Sequence, residues 1–204
     1  MRKEEIKELF KDALREIMSI AVGKATSSLT EFLGKLTVLE ITSISLIKVE
    51  KISKLVPDPE EILSVLTFKL RGDIGGYLLL IAKTEEMKKL AKHAITKYLG
   101  EKKYDEEFEE SAIREIGNIF CSSFCTAIGE FMGFMVRSEP GEYSVDMAGA
   151  VLNSLAPIFE QMEILYAIRT KVKVEGEKIS MEVLYLPDSD ALKKISKVVR
   201  GVNQ

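Results

Sequence analysis

Histidine occurs once in this chain, tryptophan not at all, and cysteine twice. Each scarcity removes a class of chemistry. A single His93, in the Lys-rich stretch KLAKHAITKYLG, leaves too few imidazole and thiolate ligands for a zinc site, so no metal centre is expected. Cys121 and Cys125 stand four apart in a stretch of helical periodicity, on adjacent turns where disulfide geometry is poor. They read as small helix residues kept reduced in the cytoplasm. No apolar run reaches the roughly 18–20 residues of a membrane span, so membrane insertion is not expected. The opening MRKEEIKELFKD reads as an amphipathic helix rather than a signal peptide. There is no excess of positive charge either: 29 Lys and Arg against 32 Asp and Glu leave a net charge of −3. Nothing therefore calls for nucleic acid or an anionic membrane as partner. Together these absences predict a cytoplasmic protein.

What is present is ordinary in bulk, with 46% hydrophobic and 30% charged residues over 204 positions. That suffices for one well-buried domain, or two small halves sharing a core. An internal repeat decides between them. Shifted by 99 positions, DALREIMSIAVGKATSSLTEFLG (12–34) falls on SAIREIGNIFCSSFCTAIGEFMG (111–133). The identities are Ala13/Ala112, Arg15/Arg114, Glu16/Glu115, Ile17/Ile116, Ile20/Ile119, Glu31/Glu130, Phe32/Phe131 and Gly34/Gly133. Chance supplies about one or two in such a window. Each repeated helix leads into a similar series. After the first come the β-rich 36–50, a break at VPDPEE, a hairpin around Gly72-Asp73, and a helix over 84–100 with Thr84 as N-cap and Gly100 as its stop. After the second come a helix over 144–156 ending near Pro157, a hairpin turning at Glu175-Gly176, and a closing helix over 189–201. The prediction is an α+β fold, an α/β sandwich of two pseudo-two-fold halves sharing a sheet, with both repeated helices exposed. The acidic 101–110 runs straight into its helix, so the chain reads as one domain over 1–204, with repeats of about 1–100 and 101–204.

Asparagine is also rare, with three copies in the chain, and one of them, Asn118, sits mid-helix. Asn is a mediocre helix former because its amide competes for backbone hydrogen bonds. On a helix turning about 100° per residue, Ser111, Glu115 and Asn118 share one narrow face. Ser122 and Cys125 prolong that stripe, while Ile113, Ile116, Phe120, Phe124 and Ala127 form the opposite, core-facing side. A bare Glu-x-x-Asn is most simply a solvated face. It could also pack on the sister helix or form a docking surface that presents a carboxylate and a carboxamide. Neither group is a usual nucleophile and no base is paired with them in sequence. An enzyme built on this stripe would borrow its chemistry from its partner. Phosphoryl transfer permits that, since hydrolysis needs an in-line water and neutralised charge more than covalent help. The remaining features read blandly. Arg71-Gly72-Asp73 is a hairpin turn, the Lys/Glu runs at 1–11 and 85–92 are solvated helix faces, and Met132, Met135, Met147 and Met162 are core.

These residues resemble the CheC/CheX/FliY chemotaxis phosphatase family, nearest to its CheC branch. The family's helix carries Asp or Ser, three residues, Glu, two residues, Asn, then 21 residues and Pro. Ser111, Glu115, Asn118 and Pro140 meet each position. REIGNI (114–119) and GDIGGYLLLI (72–81) are also typical of it. The resemblance implies an aspartyl-phosphate hydrolase acting on a phosphorylated CheY-type response regulator. Glu115 would pair with the regulator's lysine and Asn118 would orient the attacking water, with Ser111 and Pro140 accessory. No cofactor of its own is implied, because the regulator supplies Mg2+. The receptor deamidase CheD is implied as a second partner. A non-enzymatic adaptor for CheD or a regulator is the alternative reading. In the first repeat, Asp12 and Glu16 stand in place, but Ser19 replaces the Asn and Ile41 falls where the Pro belongs. That copy is expected to be weak or inactive and kept as structure. The motor-switch domain that FliY-like proteins add is not expected within these 204 residues.

Overall fold

A near-continuous apolar run such as YLLLIA (77–82) suits a strand covered on both faces, and it lies at the centre of the molecule. The computed structural model describes residues 3–56, 58–100, 106–160, 162, 164–177 and 179–199. Among them, seven strands form one sheet with every pair antiparallel. They are β1 (Thr37–Lys48), β2 (Ile62–Gly72), β3 (Gly76–Lys83), β4 (Val136–Ser138), β5 (Glu142–Met147), β6 (Ile164–Val174) and β7 (Ile179–Pro187). The helices are α1 (Lys3–Leu33), α2 (Thr84–Leu99), α3 (Glu106–Met132), α4 (Ala148–Leu155) and α5 (Ser189–Val199). Short 3-10 helices cover Val49–Leu55 and Ala156–Phe159.

The strand order is β1-β6-β7-β3-β2, with β4 and β5 both on the far edge of β2. Exchanging the two halves maps this order onto itself. The hairpins β2–β3 and β6–β7 meet through β3 and β7, and each half's first extended segment pairs with the other half's hairpin. The expected α+β architecture with symmetric halves is thus the observed one. The symmetry extends to an irregularity. In β1 one extra residue enters the register between Leu39 and Ile41. Shifted by 99, this is the gap between β4 and β5 at residues 139–141, where β2 again faces one residue too many. A proline has no N–H to give the ladder and is accepted at an edge-strand bulge. Pro140 occupies that place, and the first half runs through it as continuous strand with Ile41 opposite Lys171.

Side chains alternating along each strand feed two cores. Leu66, Phe68, Leu70, Leu78, Leu80, Val183 and Tyr185 face α1, α2, α3 and α5. Leu63, Val65, Leu79, Ile81, Leu184 and Leu186 face the 3-10 helices and α4. On α3 the predicted inner side holds: Ile113, Ile116, Phe120, Phe124 and Ala127 are all buried. Truncating Phe120 or Phe124 to Ala would cost about 3–5 kcal/mol.

Several local expectations are corrected. Residues 144–147 are strand, not helix, because they continue β5 along β2 with Val145 opposite Ser64. The helix starts at Ala148, whose N–H donates to the Glu61 carbonyl at 3.1 Å, while Gly149 N–H donates to the Pro59 carbonyl at 2.9 Å. Backbone carbonyls thereby take the place of a side-chain cap. Thr84 is the first residue of α2 rather than its N-cap; Lys83 holds that place in an extended conformation without a side-chain cap. Gly100 does end α2, with φ 82°. Met135 and Met147 are exposed instead of core, although Met132 is buried. Arg71-Gly72-Asp73 closes the β2–β3 hairpin. Lys194 Nζ donates to Asp73 at 2.6 Å and the Met135 N–H at 3.0 Å, and together they hold the Asp73 carboxyl below its usual range. The first five residues of the acidic run 101–110, and the closing helix beyond Val199, lie outside the described residues.

Candidate functional site

α3 lies hard against the sheet because it carries a glycine where it crosses β2. A Cβ on buried Gly117 would stand 2.8 Å from Leu66 Cδ1 and 2.9 Å from Phe68 Cζ. The same position of the first repeat is Met18, fully packed. With its inner face fixed in this way, α3 holds its outer face rigidly. Ser111, Glu115, Asn118 and Ser122 are all exposed there. Among the described residues, neither the Glu115 carboxylate nor the Asn118 carboxamide has a hydrogen-bond partner or ion pair within the protein. Cys125 departs from the expected stripe. It is buried, hydrogen-bonded to Cys121 one turn earlier and close to Tyr185 of β7.

The contact between α3 and α1 runs antiparallel. Ser123 Oγ meets Ser28 Oγ at 2.8 Å, and further along, Glu31 and Phe32 of α1 border the same groove as Glu115 and Asn118. The groove measures about 580 Å³, and among the described residues its charged lining is acidic, Glu31 and Glu115. Its far wall ends in Tyr98 of α2, stacked on Phe32 with ring centroids 5.3 Å apart. Sequence reasoning missed this wall. The identities Glu31/Glu130 and Phe32/Phe131 are the signal for it in the sequence, although repetition by itself does not mark a surface.

Pro140 stands exposed in the gap between β4 and β5, and α3 is tied to that gap. Arg114 Nη1 donates to the Gly141 carbonyl at 3.2 Å, its Nε to Glu110 at 2.9 Å, and its guanidinium lies 6.0 Å from the Tyr143 ring centre. Phe68 fills the space that a side chain on Gly141 would need. Pro140 and α3 are therefore neighbours through Arg114.

The first copy is arranged differently. Arg15 Nη1 donates to Asp12 at 2.7 Å, so that carboxylate is already engaged. The Ser19 hydroxyl donates to the Arg15 carbonyl at 2.8 Å, a back-bond into its own helix. Glu16 is exposed. Both cysteines are free and buried; Cys121's thiol is pushed well up by its hydrogen bond with Cys125 and by burial, while that same bond lowers Cys125's. Among the described residues no group of three or more His, Cys, Asp or Glu could hold a metal ion, and no helix is long and apolar enough to cross a membrane.

Comparison with known proteins gives these arrangements a context. The CheC-like family model matches residues 108–140, the span from α3 to Pro140. The chain is 23% identical over 199 residues to CheY-P phosphatase CheC of Bacillus subtilis, covering 93% of each protein. In structure it resembles FliY of Thermotoga maritima, with a TM-score of 0.76, 17% identity, and coverage of 100% of this chain and 99% of that one. It also resembles a chain of the CheX–CheY–BeF3–Mg2+ complex from Borrelia burgdorferi, with a TM-score of 0.52, 16% identity, and coverage of 89% and 97%.

Proposed function

With the chain a relative of the CheC/CheX/FliY family, we propose that it is a phosphatase for the aspartyl phosphate of a CheY-type response regulator. The observation that carries this reading is the pair Glu115 and Asn118, one turn apart, unpartnered among the described residues, on a helix packed closely against the sheet. A carboxamide held at a rigid, exposed place can orient a water in line with phosphorus. A carboxylate one turn earlier can pair with the regulator's lysine. The water attacks phosphorus, the bond from phosphorus to the aspartyl oxygen breaks, and inorganic phosphate leaves with the regulator's carboxylate restored. Such hydrolysis is mostly positioning and charge neutralisation. The protein contributes no metal in this scheme; Mg2+ belongs to the regulator. Ser111 is an accessory on the same face, and Pro140 an accessory that sets the backbone beside Arg114.

The chain works in this reading as one domain over 1–204, with an intact motif in the second repeat and a degenerate one in the first. It acts in the cytoplasm, where the phosphorylated regulator is found. CheD binding belongs to the same proposal and is read by co-purifying the two proteins. The central experiment is phosphate release from a phosphorylated CheY-type regulator with and without this protein. Acceleration lost in Asn118→Ala is the expected result. Binding to the regulator with no acceleration would leave the adaptor reading in its place.

A further inference from the structure

The degenerate repeat has kept something that the motif alone does not require. At the C-terminal end of α1, Phe32 is half-buried and stacked on Tyr98, with rings at 30° to one another. Lys97 clamps the pair from beside it. Its Nζ donates to the carbonyls of Glu31 at 2.5 Å and Phe32 at 2.9 Å, and lies 5.0 Å from the Tyr98 ring centre. One lysine thus terminates α1 and fixes the ring that extends it. Tyr98 is nevertheless 57% exposed, and its hydroxyl has no hydrogen-bond partner among the described residues. A rigid aromatic with low entropy to lose, half wet, beside a polar groove is the composition of a recognition surface rather than of a core. The counterpart of Phe32 in the other repeat, Phe131, is 53% exposed and stacks on no ring among the described residues. The ledge exists on one side only, the side that faces Glu115 and Asn118.

Resting on the phosphatase reading above, we infer that the first repeat supplies the docking wall of the second repeat's site. The Phe32–Tyr98 ledge takes an apolar patch on the rim of the receiver domain, and Glu31, with Glu115, matches the cationic surroundings of its phosphoryl group. Charge complementarity selects this occupant. Among the described residues that line the groove, the charged side chains are the two carboxylates; the Lys97 ammonium behind its wall is engaged by the Glu31 and Phe32 carbonyls. This suits a partner whose active site presents a lysine and a divalent cation. The ledge fixes how the regulator sits, so that the water at Asn118 meets phosphorus in line. Its residues position the partner; they do not touch the reacting atoms.

The test is a steady-state comparison on the full chain with a phosphorylated CheY-type regulator, joined to the dissociation constant of the beryllofluoride-loaded regulator. Tyr98→Ala is expected to raise KM and that dissociation constant about tenfold together, with kcat moving far less. Tyr98→Lys, which keeps a helix former at an exposed site, should do the same without loss of fold, and Phe131→Ala should leave both constants alone. Asn118→Ala, run in parallel, lowers kcat and spares the dissociation constant. An unchanged KM and dissociation constant in Tyr98→Ala and Tyr98→Lys, beside a kcat lost in Asn118→Ala, overturns the ledge and leaves the phosphatase reading standing. A wild-type rate in Asn118→Ala overturns that reading instead, and the dissociation constants alone then judge the ledge.

Discussion

α1 and α3 are two versions of one helix. Both lie on the same face of the sheet, and both end in a glycine of positive φ, Gly34 at 67° and Gly133 at 70°. Both are followed by an extended segment that carries one extra residue at the same offset. Yet their outer faces differ. On α1, Asp12 is held by Arg15 and Ser19 bonds back into the helix, so two of three motif positions are spent locally. On α3, Arg114 turns away to Glu110 and Gly141, and the Glu115 and Asn118 side chains project without protein partners among the described residues. What separates a candidate site from a structural helix here is which polar groups the protein satisfies internally.

The largest break in that comparison comes from the outer face of α3. Asn118→Ala should cut phosphate release about 10²–10³-fold, the usual cost of removing a transition-state contact, with the thermal midpoint unchanged. Glu115→Ala should lower kcat/KM about 10- to 100-fold, mostly by weakening the complex, as loss of a hydrogen bond to a charged group does. Initial rates and a binding titration on the same preparations separate the two effects.

Next comes the inner face. Gly117→Ala forces a methyl into Leu66 and Phe68 and should cost about 1–3 kcal/mol of stability, which denaturant melts would read. Neutral behaviour would mean that α3 is free to lift off β2, and the rigid-platform argument would go with it. The first repeat should be far more tolerant at its own motif. Ser19→Ala should change phosphate release less than about twofold, since its hydroxyl bonds back to the Arg15 carbonyl and removing such a back-bond is close to neutral for a helix. Ser19→Asn should recover little by itself, because Arg15 still engages Asp12 and Ile41 keeps β1 continuous where β4 and β5 are split. A Ser19→Ala as damaging as Asn118→Ala would erase the asymmetry.

The smallest effect concerns the β2–β3 turn. Asp73 has its carboxyl held below the normal range when folded, first by Lys194 and then by the Met135 N–H. A lowered folded-state pKa gives a contribution that is full above the unfolded value, near 3.8, and lost as pH falls through the folded one. Asp73→Asn should therefore lower the thermal midpoint slightly at neutral pH, and its melting curve should converge on the wild type at the acid end of a titration below pH 4.

The amino-acid sequence alone determined a good deal. Repeated apolar spacing specified two equivalent helices, because burial of one face is a local, periodic requirement that packing cannot override without loss of the core. Gly100, Gly176 and the Gly72-Asp73 turn were legible for a similar reason: positive φ restricts the choice of residue at single positions. The Ser111, Glu115, Asn118 and Pro140 spacing was legible as a pattern too. What sequence could not express was any property that depends on a distant segment. Residues 144–147 became strand because β2 offered them an edge, and Cys125 left the exposed stripe because it is buried in the core beside Tyr185 of β7. The wall of Phe32 and Tyr98 is the clearest case, since its two rings lie 66 residues apart in the chain and meet through Lys97 at the end of α1. Tertiary structure decided it, because a groove exists only where two helices approach closely enough to exclude what would otherwise fill it.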